Sequence, residues 1–186
     1  MKIPKFEAQT EWVKPTEFPD LRHVDEIAID LETKDPDLLK RGSGSVIGNG
    51  EVIGIAVATK HFKGYFPIAH EGGGNMDRKR VLSWLKDILE SPSTKVFHNA
   101  IYDVCWLRAM GFKINGDIAC TMIAAAVTDE NRFRYDLNSY HGTILVMVKT
   151  KLHLQKQQLN GESILNQKCI NYHQCMLVHT LNVMLK

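Results

Sequence analysis

Acidic residues almost vanish from the C-terminal stretch of this 186-residue chain: past Ser139 there is no aspartate, and Glu162 is the one glutamate. Gln, Asn, His and Lys crowd that stretch instead, and no capped helical periodicity runs through it. Long apolar runs are missing too. None approaches the roughly 20 residues that span a bilayer, so no membrane partner is expected. The opening Met1-Lys2-Ile3-Pro4-Lys5 lacks the apolar core of a secretion signal, which argues against export. Cysteine is sparse. Cys105, Cys120, Cys169 and Cys175 follow no disulfide framework, and a reducing compartment is the expectation. A large charge of either sign is absent as well. The formal net charge of +2 neither announces nor opposes a nucleic-acid partner, because acidic metal ligands offset basic contacts.

What is present suits one globular domain. The composition is 44% hydrophobic and 24% charged, and the length allows a real core. Residues 1–24, broken by Pro4, Pro15 and Pro19, read as an extended lead-in. Residues 25–139 read as the folded domain, and residues 140–186 as an atypical tail expected to be poorly ordered. The first strand is predicted over Glu26–Leu31, and turn chemistry predicts a long loop over 33–49. Strands are predicted at Val52–Thr59 and Tyr65–His70, joined as a hairpin through Lys60–Gly64. Gly72-Gly73-Gly74 lacks the Lys-Ser/Thr of a phosphate loop and reads as a flexible connector.

Asn75 suits a helix cap, with Val81, Leu82, Trp84, Leu85, Ile88 and Leu89 at helical spacing behind it. A short strand follows at Lys95–Phe97, then a helix over Ala100–Met110 that stops at Gly111. Phe112–Ile118 is predicted as a further strand and Cys120–Val127 as an alanine-rich helix. The order β-β-β-α-β-α-β-α predicts an α/β fold: a mixed sheet with an antiparallel front section and helices packed against it.

Ile27-Ala28-Ile29-Asp30-Leu31-Glu32-Thr33 is the most informative stretch. Strand side chains alternate between faces, so Asp30 and Glu32 point to one side and Leu31 to the other. Two like charges on a core strand are costly unless a cation sits between them. A hard divalent ion such as Mg²⁺, which takes oxygen ligands, meets that need. A second carboxylate cluster lies in Val96-Phe97-His98-Asn99-Ala100-Ile101-Tyr102-Asp103, where Asn99 and Asp103 stand at i and i+4. Asp103 lies beside the Ala100/Val104/Leu107 stripe that should face the core. An ion pair with Arg108 or a loop lysine would explain an isolated aspartate there. Asp103 is not isolated, because another strand already presents Asp30 and Glu32.

These motifs resemble the DEDD superfamily of 3′–5′ exonucleases, most closely the proofreading domain of family A (Pol I-like, phage-type) DNA polymerases. Ile-Asp30-Leu-Glu32-Thr33 resembles the first exonuclease motif, Asp-x-Glu, and Asn99-Ala-Ile-Tyr-Asp103 the second, Asn-x-x-x-Asp. Gly111-Phe112, Thr121–Ala125 and Asp129–Leu137 also resemble that family, so the likeness covers about residues 6–139. Cys120 stands where the family usually has aspartate, and a structural role is expected for it.

The resemblance implies a ribonuclease H-like fold, here incomplete at the C-terminus. It implies two Mg²⁺ or Mn²⁺ ions about 3.5–4 Å apart, which activate a water and stabilise the leaving 3′ oxygen. Asp30 would bridge both ions, Glu32 would help hold the one nearer the nucleophile, and Asp103 would hold the other. Backbone near Leu31 and Thr33, with Asn99 and less firmly Tyr102, would position the terminal nucleotide. The implied partners are a single-stranded DNA 3′ end and the polymerase domain of a parent protein, in the cytoplasm of a bacterial or phage-infected cell.

The family's third motif, Tyr-x-x-x-Asp or His-x-x-x-x-Asp, finds no match after Ser139. Codons read one base out of register can spell Tyr-Ala-Glu-Arg-Asp near the end, the tyrosine straddling His179/Thr180 and the aspartate Val183/Met184. A lost base near Ser139–Tyr140 is therefore expected, and with it impaired activity. Other readings stay open: an RNA-processing exonuclease of the same superfamily, a non-catalytic nucleic-acid-binding remnant, or zinc at Cys169, His173, Cys175 and His179. Arg78-Lys79-Arg80 and Arg132/Arg134 fit phosphate contacts, though a solvated face explains each as well.

Overall fold

The computed structural model describes residues 13–128, 130–131 and 133–135. The expectations for residues 140–186, including the zinc set and the shifted third motif, lie outside the described residues. Among those described, no helix is long and apolar enough to cross a membrane.

Five strands form one sheet in the order β3-β2-β1-β4-β5. They are β1 (Glu26–Lys34), β2 (Glu51–Ala58), β3 (Lys63–Pro67), β4 (Thr94–Phe97) and β5 (Ile118–Cys120). β1, β2 and β3 pair antiparallel, while β4 and β5 join parallel to β1. Each parallel strand is reached through a helix, α3 (Arg78–Glu90) before β4 and α4 (Ala100–Ala109) before β5. α5 (Thr121–Thr128) follows directly. This is the mixed α/β sheet with an antiparallel front that the pattern predicts.

The two faces of the sheet differ. Ile27, Ile29 and Leu31 of β1 point with Ile55, Val57 and Phe66 into a core closed by Val81, Trp84, Leu85, Ile88 and Leu89 of α3 and by Val104 and Leu107 of α4. The α3 residues recur at i, i+3, i+4, i+7 and i+8, the stripe of a helix lying on a sheet. Phe18 and Leu21, from the lead-in, pack into the same core, and the Trp84 indole donates to the Pro19 carbonyl at 2.8 Å. The opposite face carries small residues, Ala28, Ala56 and Ala58, with Tyr65 and Val96. Register places Asp30 across from Ala56, and Glu32 across from Gly54, on that small-residue face.

Three local expectations are corrected. The loop predicted over 33–49 starts later, because β1 runs on to Lys34, and it contains two single-turn helices, α1 (Leu38–Arg41) and α2 (Gly44–Ile47). Asp77, not Asn75, caps α3 by accepting from the Arg80 amide at 2.8 Å. Asn75 instead clamps the His70 backbone with two bonds of 2.8 Å. The strand predicted at Phe112–Ile118 forms later and shorter, at Ile118–Cys120. Phe112 still closes α4 by donating to Leu107, and Gly116 turns the chain at φ 74°.

Lys95 fixes the start of β4. Its buried ammonium donates to the carbonyls of Ser91, Ser93 and Asn115, and burial pulls its pKa below the ordinary lysine range.

Gly54 is the tightest point of the small-residue face. A Cβ there would stand 1.8 Å from the Tyr65 hydroxyl oxygen, which is itself hydrogen-bonded to His70. Gly54→Ala must therefore displace a wholly buried ring. The expected cost is about 1–3 kcal/mol in urea unfolding.

Candidate active site

β1 outruns β4, and that mismatch builds the site. β4 pairs with β1 only from Glu26 to Ala28, so the side of β1 facing β4 is open beyond that point. Leu31 sits across from Ile55 of β2, yet its amide points away from that strand. α4 enters this gap. Asp103, in the helix's first turn, accepts the Leu31 N–H on Oδ1 at 3.0 Å. The carboxylate is 3% exposed, and a buried strand amide left unpaired would cost about 1–3 kcal/mol. Helix-terminal dipoles also favour an acid in the first turn.

Asp103 thus meets β1 at the peptide between Asp30 and Leu31, one residue from Glu32. Asp30 and Glu32 are both partly exposed. The structure brings the three predicted carboxylates to one short length of β1. It does not gather them into a ready cage: among the described residues, no three carboxylate, imidazole or thiol groups converge as a metal-binding set. Within that length of strand, Oδ1 of Asp103 holds the Leu31 amide. The donors still suit Mg²⁺, which uses one or two carboxylates and completes its shell with water and substrate phosphate.

The predicted substrate-positioning residues fare unevenly. Leu31 buries its side chain in the core and gives its amide to Asp103. The Thr33 hydroxyl pairs with the Tyr102 hydroxyl at 2.7 Å, and Tyr102 donates to Asp35 Oδ2 at 3.0 Å. Burial pushes the Tyr102 phenol pKa up and the nearby Asp35 adds to this, while the hydrogen bond with Thr33 opposes it. Asn99 is not helical. Its φ of 63° and ψ of 52° are left-handed, so the i, i+4 argument for a shared helical face with Asp103 does not hold. It is the one non-glycine residue with positive φ among those described, and such strained residues cluster at functional sites. Phe97, the other aromatic near the helix start, is wholly buried core.

The junction of β5 and α5 braces the junction of β4 and α4. Cys120 Sγ accepts the Ala100 amide at 3.4 Å, capping α4, which is the structural role expected of it. Thr121 donates to the Phe97 carbonyl at 3.2 Å, so its hydroxyl accepts from His98 Nδ1 at 2.9 Å. The Thr121–His98 pair escaped sequence reading, since nothing in the order of residues marks two separate junctions as neighbours. The predicted basic contacts at Arg78, Lys79 and Arg80 are solvent-exposed, and Arg80 lies 4.9 Å over the Phe18 ring.

Comparison with known proteins gives this geometry its context. The family model for the 3′–5′ exonuclease of A-type DNA polymerases matches residues 16–174. That match runs past Ser139, where the resemblance read from motifs stops. The chain is 41% identical over 114 residues to a DNA-directed DNA polymerase of Pseudomonas phage M6, covering 56% of this chain and 16% of that one. It spans less than a fifth of the curated relatives it matches, at 16%, 19% and 17% of their lengths. Among solved structures, NrnC of Brucella melitensis aligns with a TM-score of 0.57 at 19% identity, covering 88% of this chain and 74% of that one. NrnC with bound Mg²⁺ aligns with a TM-score of 0.53 at 17% identity, with the same coverage. The fold is that of the ribonuclease H-like exonucleases, and the chain belongs to the 3′–5′ exonuclease family of family A DNA polymerases.

Proposed function

We propose that the chain acts on DNA, removing nucleotides from a single-stranded 3′ end as the proofreading part of a phage-type polymerase. The observation that carries this reading is the Asp103 carboxylate seated on the Leu31 amide, between the two acids of β1. Asp30, Glu32 and Asp103 would hold two Mg²⁺ or Mn²⁺ ions. Bound there, the ions supply charge neutralisation at the phosphate and a lowered pKa for the attacking water. The protein's own part is to hold its acids in register. Leu31 does so from the core side, the β1–β2 ladder fixes Glu32 beside Gly54, and α4 carries Asp103 inward.

A register shift between Glu32 and Thr33 gives β2 one extra residue, Ile53, just past the acidic pair. Bulges of this kind re-aim side chains beside active sites. Asn99 and Tyr102, at the mouth of the same turn, would position the terminal nucleotide, with Thr33 and the backbone of Leu31 supporting them from β1.

The reading includes a deficit. A third-motif tyrosine and aspartate have no match after Ser139, so activity is proposed to fall well below that of a complete domain. A lost base near Ser139–Tyr140 accounts for the missing acid, while the family match through residue 174 weighs against it. Sequencing the gene decides. No polymerase-like frame after any single-base correction would remove that part of the reading.

A nuclease assay on a 3′-labelled single strand tests the rest. The full chain in Mn²⁺ is expected to give slow, EDTA-sensitive release of mononucleotides, and Asp30→Ala to reduce it about a hundredfold or more. Robust activity would contradict the deficit, and activity indifferent to Asp30→Ala would contradict the site. RNA degraded in preference to DNA would move the reading to an RNA-processing enzyme.

A further inference from the structure

Asp35, just past β1, belongs to none of the motifs above. Its Oδ2 accepts two donors, the Gly44 amide at 2.9 Å and the Tyr102 hydroxyl at 3.0 Å. Tyr102 has a single hydroxyl proton. It gives that proton to Asp35 and therefore accepts from the Thr33 hydroxyl. Gly44 reaches the carboxylate because it lacks a Cβ, which would stand 1.7 Å from the Asn49 carbonyl oxygen and 3.0 Å from Asp35 Oδ1. Asn49 in turn donates to Asp37 Oδ2 at 2.8 Å, closing the connection on itself. One carboxylate thus joins the exit of β1, the start of α2 and the first turn of α4.

That first turn is also the one that carries Asp103. Tyr102 and Asp103 are consecutive, and both reach β1, the first at Thr33 and the second at Leu31. α4 is pinned to β1 at two points, and Asp35 holds the outer one. Its bonds are charge-assisted and part-buried, so they are stronger than the neutral Thr33–Tyr102 bond beside them.

We propose that Asp35 is a positioning residue: by holding the Tyr102 hydroxyl and the Gly44 amide on one carboxylate, it sets where Asp103 meets the amide of Leu31. The inference rests on the exonuclease reading for its importance, because only there does the placement of Asp103 matter to chemistry. The contact itself can be followed without any reaction.

Amide hydrogen exchange, read by NMR on the full chain with the α3 amides as internal reference, tests it. Asp35→Ala is expected to speed exchange at both Gly44 and Leu31, about tenfold or more at Leu31. Asp35→Asn keeps an acceptor in place and should restore most of the Leu31 protection. Tyr102→Phe removes one hydroxyl and should speed Leu31 while leaving Gly44 protected. Gly44 released with Leu31 unchanged in Asp35→Ala would make Asp35 a local loop brace and overturn the proposal. Leu31 unchanged in Tyr102→Phe would overturn it too, and that variant decides if Asp35→Ala does not fold. Hydrolysis does not enter this readout. Failure of the exonuclease reading would appear in the Asp30→Ala assay, and failure of this inference only in the exchange rates.

Discussion

One hydrogen bond, from the Leu31 amide to the Asp103 carboxylate, sets the rest of the site. It exists because two parallel strands differ in length. β4 ends at Phe97 and the chain turns sharply into α4, while β1 continues six residues beyond its last partner on that side, from Ala28 to Lys34. The strand amides exposed by that mismatch need acceptors, and a helix entering the gap can supply one. An acid supplies it best, because a carboxylate is the stronger acceptor and the helix N-terminus favours its charge. Asn99 in the left-handed region makes the turn short enough for Asp103 to arrive there.

The sheet's asymmetry explains why the two acids of β1 are tolerated. Branched and aromatic side chains fill the helix-covered face, and the other is mostly alanine, with Tyr65 and Val96. Asp30 and Glu32 alternate onto the face of small residues, where carboxylates need not displace bulky neighbours. Tyr65 fills the space over Gly54, the cross-strand partner of Glu32, and is tied to His70. The acids therefore stand on a floor of fixed shape. Sheet geometry fixes where Asp30 and Glu32 leave the strand, and the bond to Leu31 fixes Asp103 beside them.

Much of this was legible in the residues. A period of two puts Asp30 and Glu32 on one side wherever the strand forms, and the apolar stripe of α3 is plain in Val81 through Leu89. The pairing of Asp-x-Glu with Asn-x-x-x-Asp pointed to the family that the comparisons show. What could not be read depends on relative lengths and on contacts distant in sequence. Nothing in Val96–Phe97 says that β4 stops short of β1, so the Leu31 amide as the partner of Asp103 could not be read from the sequence. Asp35 and Asn75 looked like ordinary turn and cap residues, since an aspartate before proline or an asparagine after glycines has many local uses. Asn99 misled for a clear reason: helical spacing was assumed one residue before the helix begins.

Diffraction from crystals of the chain soaked in Mn²⁺, recorded where manganese scatters anomalously, tests the central claim most directly. The account predicts an anomalous peak about 2 Å from a carboxylate oxygen of Asp30, with Glu32 or Asp103 in the same coordination shell. Manganese bound elsewhere, with those three side chains holding no ion, would contradict it.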